Sequence, residues 1–177
     1  MTKRKQPNRS VKPKASRPHM PGYGISDAKG GKGLLDWSWA TERLEKAHNY
    51  WLSTTGPDGR PHCMPVWGIW LENGFYFSTG RQSRKARNLA VNPNCVISAE
   101  VANGARVNDA VIVEGTVKEI TDQALRLKFA DLYETKYRWD MEGFAEPVYL
   151  VQPAVAFAFI EGADEFTGTA TRWIFDD

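Results

Sequence analysis

The chain has 177 residues, 42% of them hydrophobic, with a formal charge of +2 and two cysteines, which suits one domain with a substantial core and a tail. No run of about eighteen apolar residues exists, and the N-terminus carries no signal-like hydrophobic segment, which argues against membrane insertion and secretion and leaves the cytoplasm as the expected address. Cys63 and Cys95 both fall in strand-like segments and read as reduced core residues rather than a disulfide.

Seven of the 23 Lys and Arg residues lie in residues 1–20, together with three prolines and no acid; such a segment has almost nothing to bury and is expected to be disordered. Taking 7 from 23 leaves 16 basic residues against 21 acidic ones, so the remainder is near −5 and the positive balance belongs to the tail. A basic tail can touch nucleic acid or an acidic membrane, but a solvated extension accounts for it as well. Without a folded basic groove or an aromatic platform, nucleic-acid binding is not the expectation. Residues 21–33 are glycine-rich and irregular, so the chain divides into a basic, disordered extension over 1–33 and a folded domain over 34–177.

Ser38 stands where it would cap a helix running to about His48, with Trp37, Ala40, Leu44, Ala47 and Trp51 spaced for one apolar face. Residues 50–54 read as a first strand, followed by the turn Gly56-Pro57-Asp58-Gly59. From 62 to 71 the side chains form two sets: His62, Met64, Val66 and Trp70 against Cys63, Pro65, Trp67, Ile69 and Leu71. Large apolar groups stand in both sets, which predicts a central strand covered on both faces. Pro65 has no N–H for a ladder, so the ladder opens locally there or carries a bulge. Glu72-Asn73-Gly74 then turns the chain into a second strand over 75–78, Asn-Gly tolerating positive φ.

Ser78, Thr79 and Gly80 lead to Ser83, placed as the N-cap of a helix that Asn92-Pro93 stops. A helix N-terminus carries unpaired N–H donors and about half a positive charge, and acidic residues normally occupy its first turn. Arg84 and Lys85 there point to a bound anion such as a phosphate, or else to a solvated basic face. Residues 95–101 and 110–120 are further strands, Gly115 marking a bulge. Thr121 or Asp122 opens a helix ending near Tyr137, and residues 148–152, 154–160 and 171–175 supply the last strands, with Pro153 dividing the first pair and 161–168 a flexible connection. Many short strands with few helices argue for a closed or nearly closed antiparallel barrel. No second His or carboxylate stands at ligand or triad spacing from His62, so no metal site and no catalytic residue is assigned. No Walker or dinucleotide-fold glycine signature is present.

Residues 60–89, with a Gly-Arg-Pro-His-like strand entry followed in order by strand, turn, YFST, SRKxxNL and NP, resemble the pyridoxamine 5′-phosphate oxidase-like family of flavin-binding split β-barrels. The resemblance extends more loosely from about Leu34 to Thr171-Arg172-Trp173. It implies a mainly β fold, an antiparallel Greek-key split β-barrel with flanking helices. It also implies that Met64, Pro65, Val66 and Trp67 lie along the isoalloxazine ring, and that Ser78, Thr79, Ser83, Arg84 and Lys85 surround the flavin phosphate. Trp67 would cover the ring or fill the core. Such proteins are usually homodimers with two flavin sites at the interface, so Arg172 and Trp173 either complete the site of a second subunit or pack as ordinary strand residues. The implied function is that of an FMN-dependent oxidoreductase acting on an unidentified small molecule. The deazaflavin F420 is the alternative cofactor, and a non-enzymatic flavin- or haem-binding protein the alternative role. The C-terminal segment departs from that of pyridoxamine-phosphate oxidase itself, and no substrate-phosphate set is identifiable.

Overall fold

Backbone groups that leave water must pair, and in this chain they pair through one antiparallel sheet. The computed structural model describes residues 12–26, 29–103, 107–162 and 165–176. Its strands are β1 (Lys14–Ser16), β2 (Tyr50–Thr55), β3 (Pro61–Val66), β4 (Gly68–Leu71), β5 (Gly74–Ser78), β6 (Asn94–Asn103), β7 (Val107–Ile120), β8 (Val148–Phe159) and β9 (Thr171–Ile174). The order is β1-β9-β8-β7-β6-β2-β3, with β5 on the first half of β8 and β4 on β5. The sheet does not close, since β3 pairs only with β2 and β4 only with β5, although Trp67 alone separates β3 from β4 in sequence. The expected barrel is therefore split, not closed, and the split leaves β3 as an edge.

That edge corrects the reading of residues 62–71 as one central strand. Pro61, Cys63, Met64 and Pro65 are exposed, and Cys63 is a surface thiol rather than a core residue, whereas Cys95 is buried and its thiol is pushed up to about 12 by burial. Pro65 then needs no opened ladder or bulge, because an edge strand tolerates a missing donor. The β4–β5 turn places its positive φ angles at Glu72 (51°) and Asn73 (59°), not at Gly74. Gly74 serves close packing instead, since a Cβ there would stand 2.5 Å from Leu150 Cδ1.

Pro153 does not divide β8. The strand runs through it because the second partner changes there: residues 148–151 pair with β5 and 155–158 with β9. The ladder with β7 shifts register at Glu114/Gly115, so the proline sits at a bulge between two partners and removes little pairing. Gly115 is required at this point, because a Cβ would come within 2.2 Å of the Gln152 carbonyl oxygen.

Helix α1 (Trp37–Lys46) begins after Asp36 rather than after Ser38, and ends before His48. Starting earlier carries Trp37 into the core with Ala40 and Leu44. That core also holds Tyr50, Leu52, Phe75, Phe77, Ile97, Val111, Val113 and Trp173, each large side chain contributing about 1.5–3 kcal/mol on burial. Helix α3 (Gln123–Tyr137) has Asp122 as its N-cap, the carboxylate accepting the Leu125 N–H at 2.9 Å. It covers a second apolar cluster of Ile69, Tyr76, Ile120, Phe129, Met141, Val148 and Leu150. Residues 161–168, expected to be a flexible connection, lead into the short helix α4 (Phe166–Thr169). No described helix is long and apolar enough to cross a membrane.

The expectation of disorder through residue 33 fails where the chain is described, and residues 1–11 lie outside the described residues. β1 pairs with β9 through Lys14↔Ile174, Ala15↔Trp173 and Ser16↔Arg172. Arg17 is 6% exposed and donates to the carbonyls of Ala170 (2.8 Å), Gly168 (2.8 Å) and Lys32 (2.5 Å). Charge-assisted bonds to three carbonyls engage both terminal nitrogens of a buried guanidinium that composition alone assigns to solvent, while its Nε has no partner among the described residues.

Candidate functional site

Helix α2 (Arg84–Val91) packs against β2. Its buried Asn88 donates to Thr54 Oγ1 at 3.0 Å, which fixes the helix to β2. Asn88 is not among the residues expected from the sequence at this site, although it stands one helical turn after Arg84.

Ser83 is the N-cap, as its position implies. Its Oγ accepts the Ala86 N–H at 3.2 Å and the Thr79 hydroxyl at 3.0 Å. A hydroxyl has one donor and two acceptor sites, so the Ser83 proton is left to donate outward. The Thr79 proton is committed to Ser83, and the Ser78 hydroxyl donates to the Pro147 carbonyl at 2.9 Å. Arg84 and Lys85 occupy the first two helical positions, whose backbone N–H groups have no partner within the helix. No acidic residue stands in this first turn, and among the described residues neither side chain is in an ion pair. By contrast, the neighbouring Arg81 is engaged by Glu119 through two bonds of 2.9 and 2.7 Å. One free hydroxyl proton, two free N–H groups and two cations thus stand in a single turn that has no acidic residue of its own, a donor set that fits a phosphate.

Register places β3 beside this turn and separates the residues expected along a ring. His62, Met64 and Val66 pair with Thr54, Leu52 and Tyr50 and share the face on which α2 lies. Pro65 pairs with the exposed Trp51 and Cys63 with Ser53, so these point the other way. Met64 is 45% exposed and Val66 is buried. Burial first, then the positive charges of Arg84 and Lys85, hold the His62 imidazole below its ordinary value, which brings His62 electrically into the site.

Trp67 neither fills the core nor continues the β3 face. Its ring stacks on Tyr137 with centroids 4.7 Å apart and planes 3° from parallel, its Nε1 donates to Asn49 Oδ1 at 3.0 Å, and His48 and Trp139 stand edge-on. Beneath it, the half-buried Lys136 donates to the Tyr50 hydroxyl (2.7 Å) and the Gly68 carbonyl (3.2 Å). Burial pushes its ammonium down to about 8. This lysine was not legible as perturbed, since nothing local marks a helical Lys as buried.

Arg172 and Trp173 part company. Trp173 is 1% exposed, edge-on to Trp37 at 5.3 Å, and so takes the packing role that the sequence left open. Arg172 is half-buried, its Nε donating to Ser16 Oγ at 3.2 Å, and faces outward. Register aligns it in one row across the sheet with Phe157, Ile112, Ser98, Trp51 and Pro65. Trp51 is 46% exposed and Ile174, one row over, 37%.

Comparison with known proteins agrees with this fold. The family model described as pyridoxamine 5′-phosphate oxidase matches residues 40–163. No curated protein matches the chain. Among solved structures, a conserved hypothetical protein of Mycobacterium tuberculosis is similar at 16% identity and a TM-score of 0.63, covering 72% of this chain and 86% of that one. A FAD-binding protein of Mesorhizobium loti is similar at 14% identity and 0.60, covering 80% and 96%. The haem storage protein HutZ of Vibrio cholerae is similar at 16% and 0.56, covering 66% and 88%. At these identities the likeness is one of fold.

Proposed function

The chain belongs to the pyridoxamine 5′-phosphate oxidase family, and from that premise we propose that it is a cytoplasmic flavin-dependent oxidoreductase whose cofactor phosphate sits on the α2 N-terminus. The observation that carries this reading is the uncommitted donor set of Ser83, Arg84 and Lys85 beside the exposed β3 edge. FMN is the cofactor this reading favours, with F420 as its alternative. Ser83, Arg84 and Lys85 would hold the phosphate, with Thr79 orienting Ser83, while Met64 and Val66 of β3 would line the ring. When bound, the flavin supplies the hydride or electron transfer, and the protein positions it and limits its contact with water.

The outward apolar row, with Trp51 exposed and Ile112 and Phe157 half-buried, supports a homodimer, because outward apolar side chains grouped on one face mark an interaction surface. Arg172 lies in that row and is the residue we place at the partner's site. A non-enzymatic haem-binding role is the second reading. It is favoured by the place of His62, a half-buried imidazole on the β3 face beside α2, a side chain of the type that ligates haem iron.

The experiment is a visible spectrum of the purified protein after addition of FMN, F420 or haem and removal of excess ligand, with mass spectrometry of what denaturation releases. Retained FMN or F420, followed by its turnover with an added acceptor, supports the oxidoreductase. A retained haem band without flavin moves the function to the second reading, and retention of none overturns both.

A further inference from the structure

Four cations stand in residues 81–87, Arg81, Arg84, Lys85 and Arg87, with no acid among them. Like charges so close repel one another and loosen the segment that carries them. Among the described residues only Arg81 of the four is held by a carboxylate, that of Glu119 on β7. Each terminal nitrogen of Arg81 donates to its own oxygen, at 2.9 and 2.7 Å, a fork that fixes the direction of the guanidinium as well as its place. The hydrogen bonds from Arg81 hold the Glu119 carboxyl below the usual carboxylate range, so the pair stays charged at neutral pH. This pair also spans a gap that the ladder does not. β5 ends at Ser78, whose partner is Val148, so the residues between Ser78 and α2 lie beyond the sheet. The Thr79 hydroxyl and the Ser83 N–H bond within the turn, to Ser83 Oγ and to the Gly80 carbonyl at 2.9 Å. Arg81 leaves the turn, reaching past β8 to a residue that register sets opposite Tyr149, itself opposite Phe77 of β5.

We infer that Arg81 and Glu119 are positioning residues, which as a pair fix the turn before α2 in the ligand-free protein so that a phosphate meets donors already in place. The inference rests on the placement of the phosphate at Ser83–Lys85. Neither side chain of the pair touches the phosphate. Glu119 turns Arg81 away from it, and the anchored turn holds Ser83 at the head of the helix. Donors fixed beforehand need no ordering when the ligand arrives, and affinity gains by the cost avoided.

The test compares the full chain as wild type, Glu119→Gln, Arg81→Met, the double variant and the conservative Glu119→Asp. Amide hydrogen exchange at Ser83 and Ala86 is read in the ligand-free protein. FMN dissociation constants come from fluorescence titration, and the phosphorus NMR resonance of bound FMN is recorded alongside. The expected result is faster exchange at both amides in Glu119→Gln, Arg81→Met and the double variant. FMN binding weakens about tenfold in each, as re-ordering the backbone of one loosened residue costs. The two single variants change the local charge in opposite directions, so a loss in both separates positioning from simple attraction of the phosphate. The double variant binds no more weakly than either single one, and Glu119→Asp recovers part of the loss. The phosphorus resonance moves while the flavin absorption band keeps its wild-type shape. If Glu119→Gln binds FMN as wild type does, if the two single losses add, or if exchange is unchanged, the positioning role is overturned and the phosphate cradle stands. Tighter binding by Glu119→Gln overturns it as well, since Arg81 would then be a phosphate ligand that Glu119 withholds. If wild type binds no FMN, the cradle and the positioning role fall together.

Discussion

Replacing Ser83 by aspartate separates the two duties assigned to this residue. As N-cap, Ser83 Oγ accepts the Ala86 N–H at 3.2 Å and the Thr79 hydroxyl at 3.0 Å, and a carboxylate accepts both. It also brings a negative charge to a helix N-terminus whose first turn holds Arg84 and Lys85. Without ligand, Ser83→Asp should leave stability unchanged or raise it by up to about 1 kcal/mol. Binding should collapse for the same reasons. The outward hydroxyl proton is lost, about 1.5 kcal/mol or more for a bond to a charged acceptor, and a like charge is set beside the phosphate, about 1 kcal/mol even in water. Together these predict at least about 2.5 kcal/mol, close to a hundredfold weaker FMN binding. Ser83→Ala is the counterpart: it loses the cap, about 1 kcal/mol of stability, and weakens binding less than aspartate does. Urea unfolding of the apoprotein and fluorescence titration with FMN read the two effects separately. An aspartate variant that binds FMN within about threefold of wild type would refute the placement of the phosphate, and one destabilised as much as Ser83→Ala would refute the cap geometry.

Arg17→Met should destabilise the protein by about 3 kcal/mol, since the buried Ala170 carbonyl and two part-buried ones lose a charged donor; a loss under about 1 kcal/mol in urea would show that the β1 strap is not part of the cooperative fold. Burial holds Lys136 down to about 8, so from about pH 8 to 10 this side chain binds more protons in the unfolded chain than in the folded one, and its own contribution to stability rises with pH. Wild type should therefore gain on Lys136→Met as pH is raised through that window, and a stability difference flat across it would count against burial of the ammonium. If the outward row is a dimer contact, Trp51→Glu should move the sedimenting species from dimer to monomer with the far-ultraviolet spectrum intact. A wild type that sediments as a monomer at all concentrations would remove the shared-site role of Arg172.

What could be read from the sequence and what could not divide by range. The Ser83 and Asp122 caps, the hairpin turn near Asn73 and the irregularity at Gly115 follow from side-chain chemistry acting within a few residues, and each stands where local reasoning put it. The edge position of β3, the continuity of β8 through Pro153 and the anchoring of Arg17 depend on partners up to 153 residues away. Apolar alternation cannot tell a strand buried by neighbours from one bordering a split, which is why Cys63 and Pro65 were read as interior. The candidate site divides the same way: the phosphate turn is one contiguous motif, whereas the faces shown by Met64, Pro65 and Trp67 are set by pairing with β2 and by packing against α3.

The changeover at Pro153 bears on how the chain reaches this structure. β8 is the one strand that β5, β7 and β9 all require, yet each arrives from a different distance along the sequence, and β5 lies some seventy residues before it. Loop closures of that length precede any reward from pairing, so assembly around β8 belongs to the slow, non-local class of folding steps. The amides of its doubly paired halves should be the last to exchange with heavy water. Those near the bulge between them should exchange sooner, a weak seam in the middle of the most protected strand.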